Sequence, residues 1–337
     1  MRALLLLFIA LLLSGCGPST TLTHGAPRRL DTERLDAEIA AIAARAAPAR
    51  LEVAVQSLDG GEVWAWDRLR AYPLQSVFKA PLGAAVLAEV DAGRLSLDEV
   101  VILAEKDISP AYSPVADAWP GRVDYSVGEL LVRAVGGSDN TAADVLMRKI
   151  GGPGAITAWL RANGVHGLRV DRYERELQPE IYGMASFRIG WKGWPAFRAA
   201  RDTVPEATRR AATARYLTDP RDTATASGAL LFLGRLANGQ LLSPKSTALL
   251  LKIMTETTTG QNRLKAGLPE GARLAHKTGT SGTDLGLTPV VNDIGVVTLK
   301  DGRRLGVVVF LAGSTQDETA RDQIFADTMR AIIAAAD

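Results

Sequence analysis

Leu35, Ile39 and Ile42 recur at helical spacing among alanines and charged residues, which predicts a helix over residues 30–47 that Pro48 ends. Apolar and more polar residues then alternate over 51–58, Asp59-Gly60-Gly61 signals a turn, and alternation resumes over 62–67, the pattern of a β-hairpin. From about 76 to 221 the pattern is mostly helical, broken by Gly and Pro clusters. Strand patterns return at 273–278, 293–299 and 304–311, with Asp301-Gly302 joining the last two, and 317–335 reads as a closing helix. No repeat at a fixed period is evident.

The order is helix, two strands, helical insert, three strands, helix. It predicts an α+β fold in which one antiparallel five-stranded sheet carries the terminal helices on one face, beside an all-helical lobe. Residues 30–73 and 222–337 would form the α/β lobe and 74–221 the helical lobe, with a site in the cleft between them.

Composition narrows the chemistry. Thirty-nine Lys and Arg against 37 Asp and Glu give no positive field to gather phosphates, so no nucleic-acid partner is expected. Three histidines, His24, His166 and His276, leave little for a zinc hydrolase, and no metal or organic cofactor is expected. The single cysteine, Cys16, removes intrachain disulfides and most thiol chemistry. A hydrolase with this composition would work with Ser, Lys and carboxylates.

Arg2 and the apolar run Ala3 to Leu13 are too short to span a bilayer comfortably and read as a secretory signal over residues 1–15. Leu13-Ser14-Gly15-Cys16 resembles the bacterial lipobox, which implies lipidation of Cys16; an ordinary signal peptide with an incidental cysteine is the alternative. Residues 16–29, rich in Gly, Pro, Ser and Thr, would be a tether. The expected location is the periplasmic face of a membrane. Gly17 carries no Asp-type inner-membrane retention signal, which favours the outer membrane.

Three short motifs carry candidate chemistry. Ser76-Val77-Phe78-Lys79 opens an apolar helical segment, and residues three apart on a helix share one face, so Lys79 could activate the Ser76 hydroxyl as a nucleophile. Pro81 forfeits an early helical hydrogen bond and makes an irregular first turn plausible. Ser138-Asp139-Asn140 precedes a helical run and could be an ordinary N-cap. Lys277-Thr278-Gly279 ends a strand, where glycine would let a substrate backbone approach, and Lys277 would favour a neutral Lys79. His276 beside it reads as a strand residue, and the arginines at 209, 210, 215 and 221 as solvated helix faces.

In this order, and with Arg172-Tyr173-Glu174-Arg175-Glu176-Leu177-Gln178 following as an Ω-loop segment, the chain resembles the class A serine β-lactamases over roughly residue 30 to the end. The resemblance implies hydrolysis of β-lactam antibiotics by a monomer, through an acyl-enzyme on Ser76. The proton would go to Lys79, or to Glu174 through water. It further implies Ser138 as proton shuttle, Glu174 as activator of the deacylating water, and the backbone N–H groups of Ser76 and Thr280 as the oxyanion hole. Asn140 would bind the substrate's side-chain amide, and Lys277, Thr278 and Thr280 its carboxylate. Tyr112 matches an aromatic at the cleft mouth, and Glu129 a helix position before Ser138. Thr255 to Gly260, Arg263-Leu264-Lys265 and Ala275 to Gly282 look like the extended-spectrum, cephalosporin-hydrolysing branch.

The chain departs from the family pattern at four places. Gln178 stands where Asn is usual, and its extra methylene could shift the water. The acidic partner of Arg172 is expected near Phe187, which cannot pair, so Trp191 and Trp194 packing is expected to hold the loop neck, or the neck is looser. Gln75 and Ser281 occupy the positions of the carbapenemase-type disulfide. The competing readings are a penicillin-binding DD-peptidase and a non-catalytic cell-wall-binding lipoprotein.

Overall fold

The structure is a computed structural model that describes residues 29–66 and 70–336. The expected export signal, Cys16, the expected tether up to residue 28 and Asp67 lie outside the described residues. The chain opens with helix α1 (Thr32–Ala46) and strands β1 (Arg50–Ser57), β2 (Val63–Trp66) and the short β3 (Ala71–Pro73). Next come α2 (Lys79–Asp91), β4 (Val100–Ile102), α3 (Pro114–Ala118), β5 (Asp124–Ser126), α4 (Val127–Val135), α5 (Asn140–Lys149) and α6 (Pro153–Ala162). Then follow α7 (Glu174–Ile181), α8 (Trp194–Asp202), α9 (Glu206–Tyr216), β6 (Thr223–Thr225), α10 (Ala226–Ala237) and α11 (Pro244–Thr255). Strands β7 (Arg273–Thr280), β8 (Thr288–Thr298) and β9 (Arg304–Ser314) lead to the closing helix α12 (Glu318–Ala336).

Five strands form the expected antiparallel sheet, ordered β2-β1-β9-β8-β7. Ala54 and Ile294 both pair with Val308 and share its face. Because side chains alternate along a strand, Val308, Phe310 and Ala312 meet α10 through Leu230 and Leu233, whereas Val307, Val309 and Leu311 face the terminal helices. There Leu35, Ile39 and Ile42 of α1 join Phe325, Met329 and Ile332 of α12. Each fully buried aliphatic or aromatic side chain is worth about 1.5–3 kcal/mol, so burial on both faces of β9 makes this sheet the rigid support of the fold.

Strand β8 begins at Thr288 rather than at 293, because buried Asn292 and Asp293 interrupt the apolar pattern. Asn292 Nδ2 donates to the carbonyls of Pro73 (2.8 Å) and Leu74 (3.1 Å), tying the sheet to the chain just before Ser76. Helix α2 is buried nearly all round, and a Cβ at Gly83 would come within 2.8 Å of Val135 and 3.0 Å of Leu250. Glycine there lets α4 and α11 close on the helix that carries Lys79.

The neck of the loop bearing Glu174 corrects the expectation at Phe187. Arg172 Nε pairs with Asp222 Oδ2 at 2.5 Å, and its Nη1 reaches Glu180 (2.8 Å) and Asp219 (3.2 Å). The backbone N–H groups of Asp171 and Arg172 donate to Asp222 Oδ1, and that of Asp222 donates back to Asp171. The acid thus stands at 222 instead of near 187, and the loop it closes includes α7, α8 and α9. Phe187 packs with Ile108 and Ala116, beside Trp191, while Trp194 packs in a separate cluster with Tyr182 and Phe197. Ion pairs, not indole packing, hold the neck. Arg209 is a second correction: it is buried, with Nη1 2.5 Å from Asp284 Oδ1, whereas Arg210 and Arg215 are exposed as expected.

Removing one member of a buried ion pair leaves the other charge uncompensated. Arg172→Ala is therefore expected to cost about 3 kcal/mol or more, read as a lowered urea midpoint.

Candidate active site

Ser76 lies in a single 3₁₀ turn, Gln75–Phe78, and the α-helix begins only at Lys79, in keeping with the irregular start expected from Pro81. Gln75 sits at φ +47°, a left-handed conformation that costs a non-glycine residue about 1–2 kcal/mol. Its side chain is held at both ends: Nε2 donates to Tyr216 Oη at 2.6 Å, and Oε1 accepts from Gln178 at 3.2 Å. Strand β7 runs directly beneath this turn. A Cβ at Gly279 would lie 2.5 Å from Leu74 O, so the glycine of Lys-Thr-Gly makes room for the chain's own nucleophile turn rather than for a substrate backbone.

Lys79 gathers the sequence-distant motifs. Its Nζ lies 2.8 Å from Ser76 Oγ, 2.9 Å from Ser138 O, 2.5 Å from Asn140 Oδ1 and 2.9 Å from Glu174 Oε1. Four oxygens surround a nitrogen that carries at most three protons. Ser76 alone among them has a proton of its own to give, so the contact can serve transfer in either direction. The Glu174 contact is an ion pair without hydrogen-bond alignment, while Glu174 Oε2 accepts from Gln178 Nε2 at 2.8 Å. Lys79 and Glu174 are both fully buried.

Ser138, at φ +60°, accepts at Oγ from Lys277 Nζ at 3.0 Å. Lys277 also donates to Thr278 O at 2.9 Å. Burial, followed by repulsion from Lys79, holds the Lys277 ammonium well below the usual lysine range, so the expected repulsion between these lysines acts on Lys277 itself. Asp139 is the N-cap of α5 and also accepts from Ser113 Oγ (2.7 Å) and Val115 N (2.8 Å), which fixes the segment leading to Tyr112. Asn140 Nδ2 donates to Pro110 O at 2.7 Å.

Ser76, Ser138, Asn140, Gln178, Thr278 and Thr280 line one cleft of about 250 Å³, and Tyr112, 45% exposed, joins its wall. Lys79, Glu174 and Lys277 lie beneath its surface. Strand β7 is an edge of the sheet, and Ser281 N–H bonds inward to Val290 O. Alternation therefore turns the Thr280 N–H outward on the free edge beside the Ser76 turn. Glu129 pairs on the surface with Arg122 and Arg133, and His276 is buried against Asp293 at 2.9 Å; neither lines the cleft. Among the described residues no cluster of His, Cys, Asp and Glu is arranged to hold a metal ion.

Sequence reasoning gave no role in the cleft to four residues that the structure brings to it or against it. Arg263 donates from Nη2 to Thr280 Oγ1 at 2.9 Å and places a guanidinium at the cleft. Gln75 anchors Gln178, and Trp194 lines the cleft. Asp144 accepts the backbone N–H groups of Glu174 (2.7 Å) and Arg175 (2.9 Å), and the Ser109 hydroxyl at 2.6 Å. The signal for Asp144 was its place one helical turn after Asn140, on the same face of α5.

Burial pushes the Asp144 carboxyl up to about 6 from 3.8; its donors oppose the shift and the Glu174 charge adds to it. The folded protein therefore holds this proton more tightly than the unfolded chain. The contribution is fully present below pH 3.8 and is lost as pH rises through about 6. Asp144→Asn lacks the titration. Urea unfolding of both proteins is expected to show wild-type stability, relative to the variant, falling by about 3 kcal/mol across that window.

Residues 34–335 match the model of the β-lactamase enzyme family. The chain is 32% identical to the β-lactamase VEB-1 of Pseudomonas aeruginosa over 257 residues, 76% of this chain and 75% of that protein. It is also 32% identical to the extended-spectrum β-lactamase PER-1 of the same species over 280 residues, 82% and 80% of the two. A solved β-lactamase from Chitinophaga pinensis superposes with a TM-score of 0.74 at 32% identity, covering 90% of this chain and 99% of that one. An ancestral class A β-lactamase superposes with a TM-score of 0.72 at 34% identity, covering 89% and 99%. With the sheet, the Ser76–Lys79–Glu174 centre and these similarities together, the chain belongs to the class A β-lactamase family.

Proposed function

We propose that this protein hydrolyses β-lactam antibiotics, cephalosporins included, through an ester formed on Ser76. The observation that carries the reading is Glu174, buried and fixed by Lys79 and Gln178 beside the nucleophile. Ser76 Oγ attacks the lactam carbonyl carbon as its proton passes to Lys79, or to Glu174 through water. The N–H groups of Ser76 and Thr280 stabilise the oxyanion, each donor worth about 3 kcal/mol. As the C–N bond breaks, Ser138, held by Lys277, gives its proton to the departing nitrogen and takes up the proton that Ser76 released, so that Lys79, Glu174 and Lys277 end the step with the protons they began with. Glu174 then takes a proton from the water that attacks the ester, and Ser76 leaves with its hydroxyl restored.

Lys277, Thr278, Thr280 and Arg263 receive the substrate carboxylate, whose charge favours the protonated form of Lys277. Asn140 meets the side-chain amide, and Tyr112 borders the mouth. Membership of the extended-spectrum branch is supported by the likeness to VEB-1 and to PER-1, which carries that description. The Arg2 and apolar start supports export, and Cys16 supports a lipid anchor on the periplasmic face, with the outer membrane favoured.

Hydrolysis of a chromogenic cephalosporin should vanish in Ser76→Ala; an active variant would overturn the nucleophile assignment. Glu174→Ala should still acylate yet release product orders of magnitude more slowly, so that intact mass records the adduct. Turnover at the wild-type rate would remove Glu174 from deacylation. For the anchor, Cys16→Ser should shift the expressed protein from the detergent phase to the aqueous phase, and an unchanged partition counts against lipidation.

A further inference from the structure

The enlarged loop between α7 and Asp222 supplies a wall of the cleft that none of these roles uses. Trp194, the first residue of α8, is half-buried and lines the cleft with Gly282. A Cβ at Gly282 would come 2.8 Å from Tyr182 Oη and 3.4 Å from Trp194 Cη2, so the indole lies against the continuation of β7. Phe197 meets the ring edge-on, with centroids 6.2 Å apart at 82°. The surrounding arm is pinned to the turn after β7: Tyr182 Oη donates to Gly282 O at 3.2 Å, and Arg209 pairs with Asp284 at 2.5 Å. Burial pushes the Tyr182 phenol up to about 12, which keeps it a donor. The ring is held in place before any substrate arrives.

Its position along the cleft decides what it meets. Thr278, Thr280 and Arg263 form the cationic end that takes a carboxylate. Gly282 lies two residues beyond Thr280 and four beyond Thr278, roughly 7 to 13 Å along an extended chain at about 3.3 Å per residue. A bicyclic β-lactam with its carboxylate at that end and its carbonyl at Ser76 directs its acylamino substituent away from the carboxylate, along the wall that runs to Gly282. The geometry points to Trp194 as a specificity-determining residue that packs against an aromatic or heteroaromatic acylamino side chain of the substrate, an assignment that rests on the β-lactam reading. Ring-on-ring packing of this kind amounts to about three- to tenfold in binding.

The test compares benzylpenicillin with 6-aminopenicillanic acid, the same nucleus without the aryl group, on wild type, Trp194→Leu and Trp194→Phe. Trp194→Leu keeps apolar bulk beside Phe197 but removes the ring. It is expected to lower the ratio of kcat/KM values for the two substrates about fivefold, mainly through KM, while Trp194→Phe retains most of the ratio. A ratio unchanged in Trp194→Leu, including an equal loss on both substrates, overturns the assignment. A wild type inactive on both substrates overturns the β-lactam reading, and this inference with it.

Discussion

The contact between Lys79 and Glu174, 2.9 Å apart with neither side chain exposed, is the constraint around which the rest is arranged. An isolated charge in the interior costs several kcal/mol, so each group is the condition for burying the other. Lys79 rides on a helix embedded in the core, and Glu174 on a loop closed by its own ion pairs. Bringing them together needs both a rigid sheet and a closed neck. Ser138 O and Asn140 Oδ1 complete the surroundings of the ammonium, and Gln178 completes those of the carboxylate. The same low-dielectric setting that makes the pair costly makes each small displacement of charge effective during acyl transfer.

Much of this was legible in the chain because it rests on short-range rules. Alternation located β1 and β9, and the three-residue step from Ser76 to Lys79 put hydroxyl and amine together. What escaped were choices made at long range. Nothing local in Asp222 names it, rather than a residue near Phe187, as the partner of Arg172. The polar residues Asn292 and Asp293 read as the edge of a strand because their partners, Pro73, Leu74 and His276, come from elsewhere in the chain. Arg209 read as solvated until Asp284, far along the chain, was brought against it. In each case a buried polar residue took its meaning from a neighbour that only the tertiary structure supplies.

Gln178 shows how a departure from a pattern is absorbed. Its longer side chain reaches both the Glu174 carboxylate and Gln75, and Gln75 in turn rests on Tyr216 of α9. The floor beside the nucleophile is therefore continuous with the enlarged loop. That loop is also fastened at its far side to the turn after β7 through Arg209 and Asp284. Two attachments, one to each bank of the cleft, let a long surface excursion behave as part of the rigid site.

The closed neck has a consequence for how such a protein can change. Once Arg172 and Asp222 bring the loop's ends together, added length costs little, since each doubling of a flexible loop adds only about 0.6 kcal/mol of closure entropy. Exposed residues on α8 and α9 can be replaced or inserted, provided that Tyr216 and Arg209 keep their contacts to Gln75 and Asp284, while α2 and α5 keep Lys79 and Asn140 where they are. The neck thus separates a part of the chain free to diversify from a part that is not.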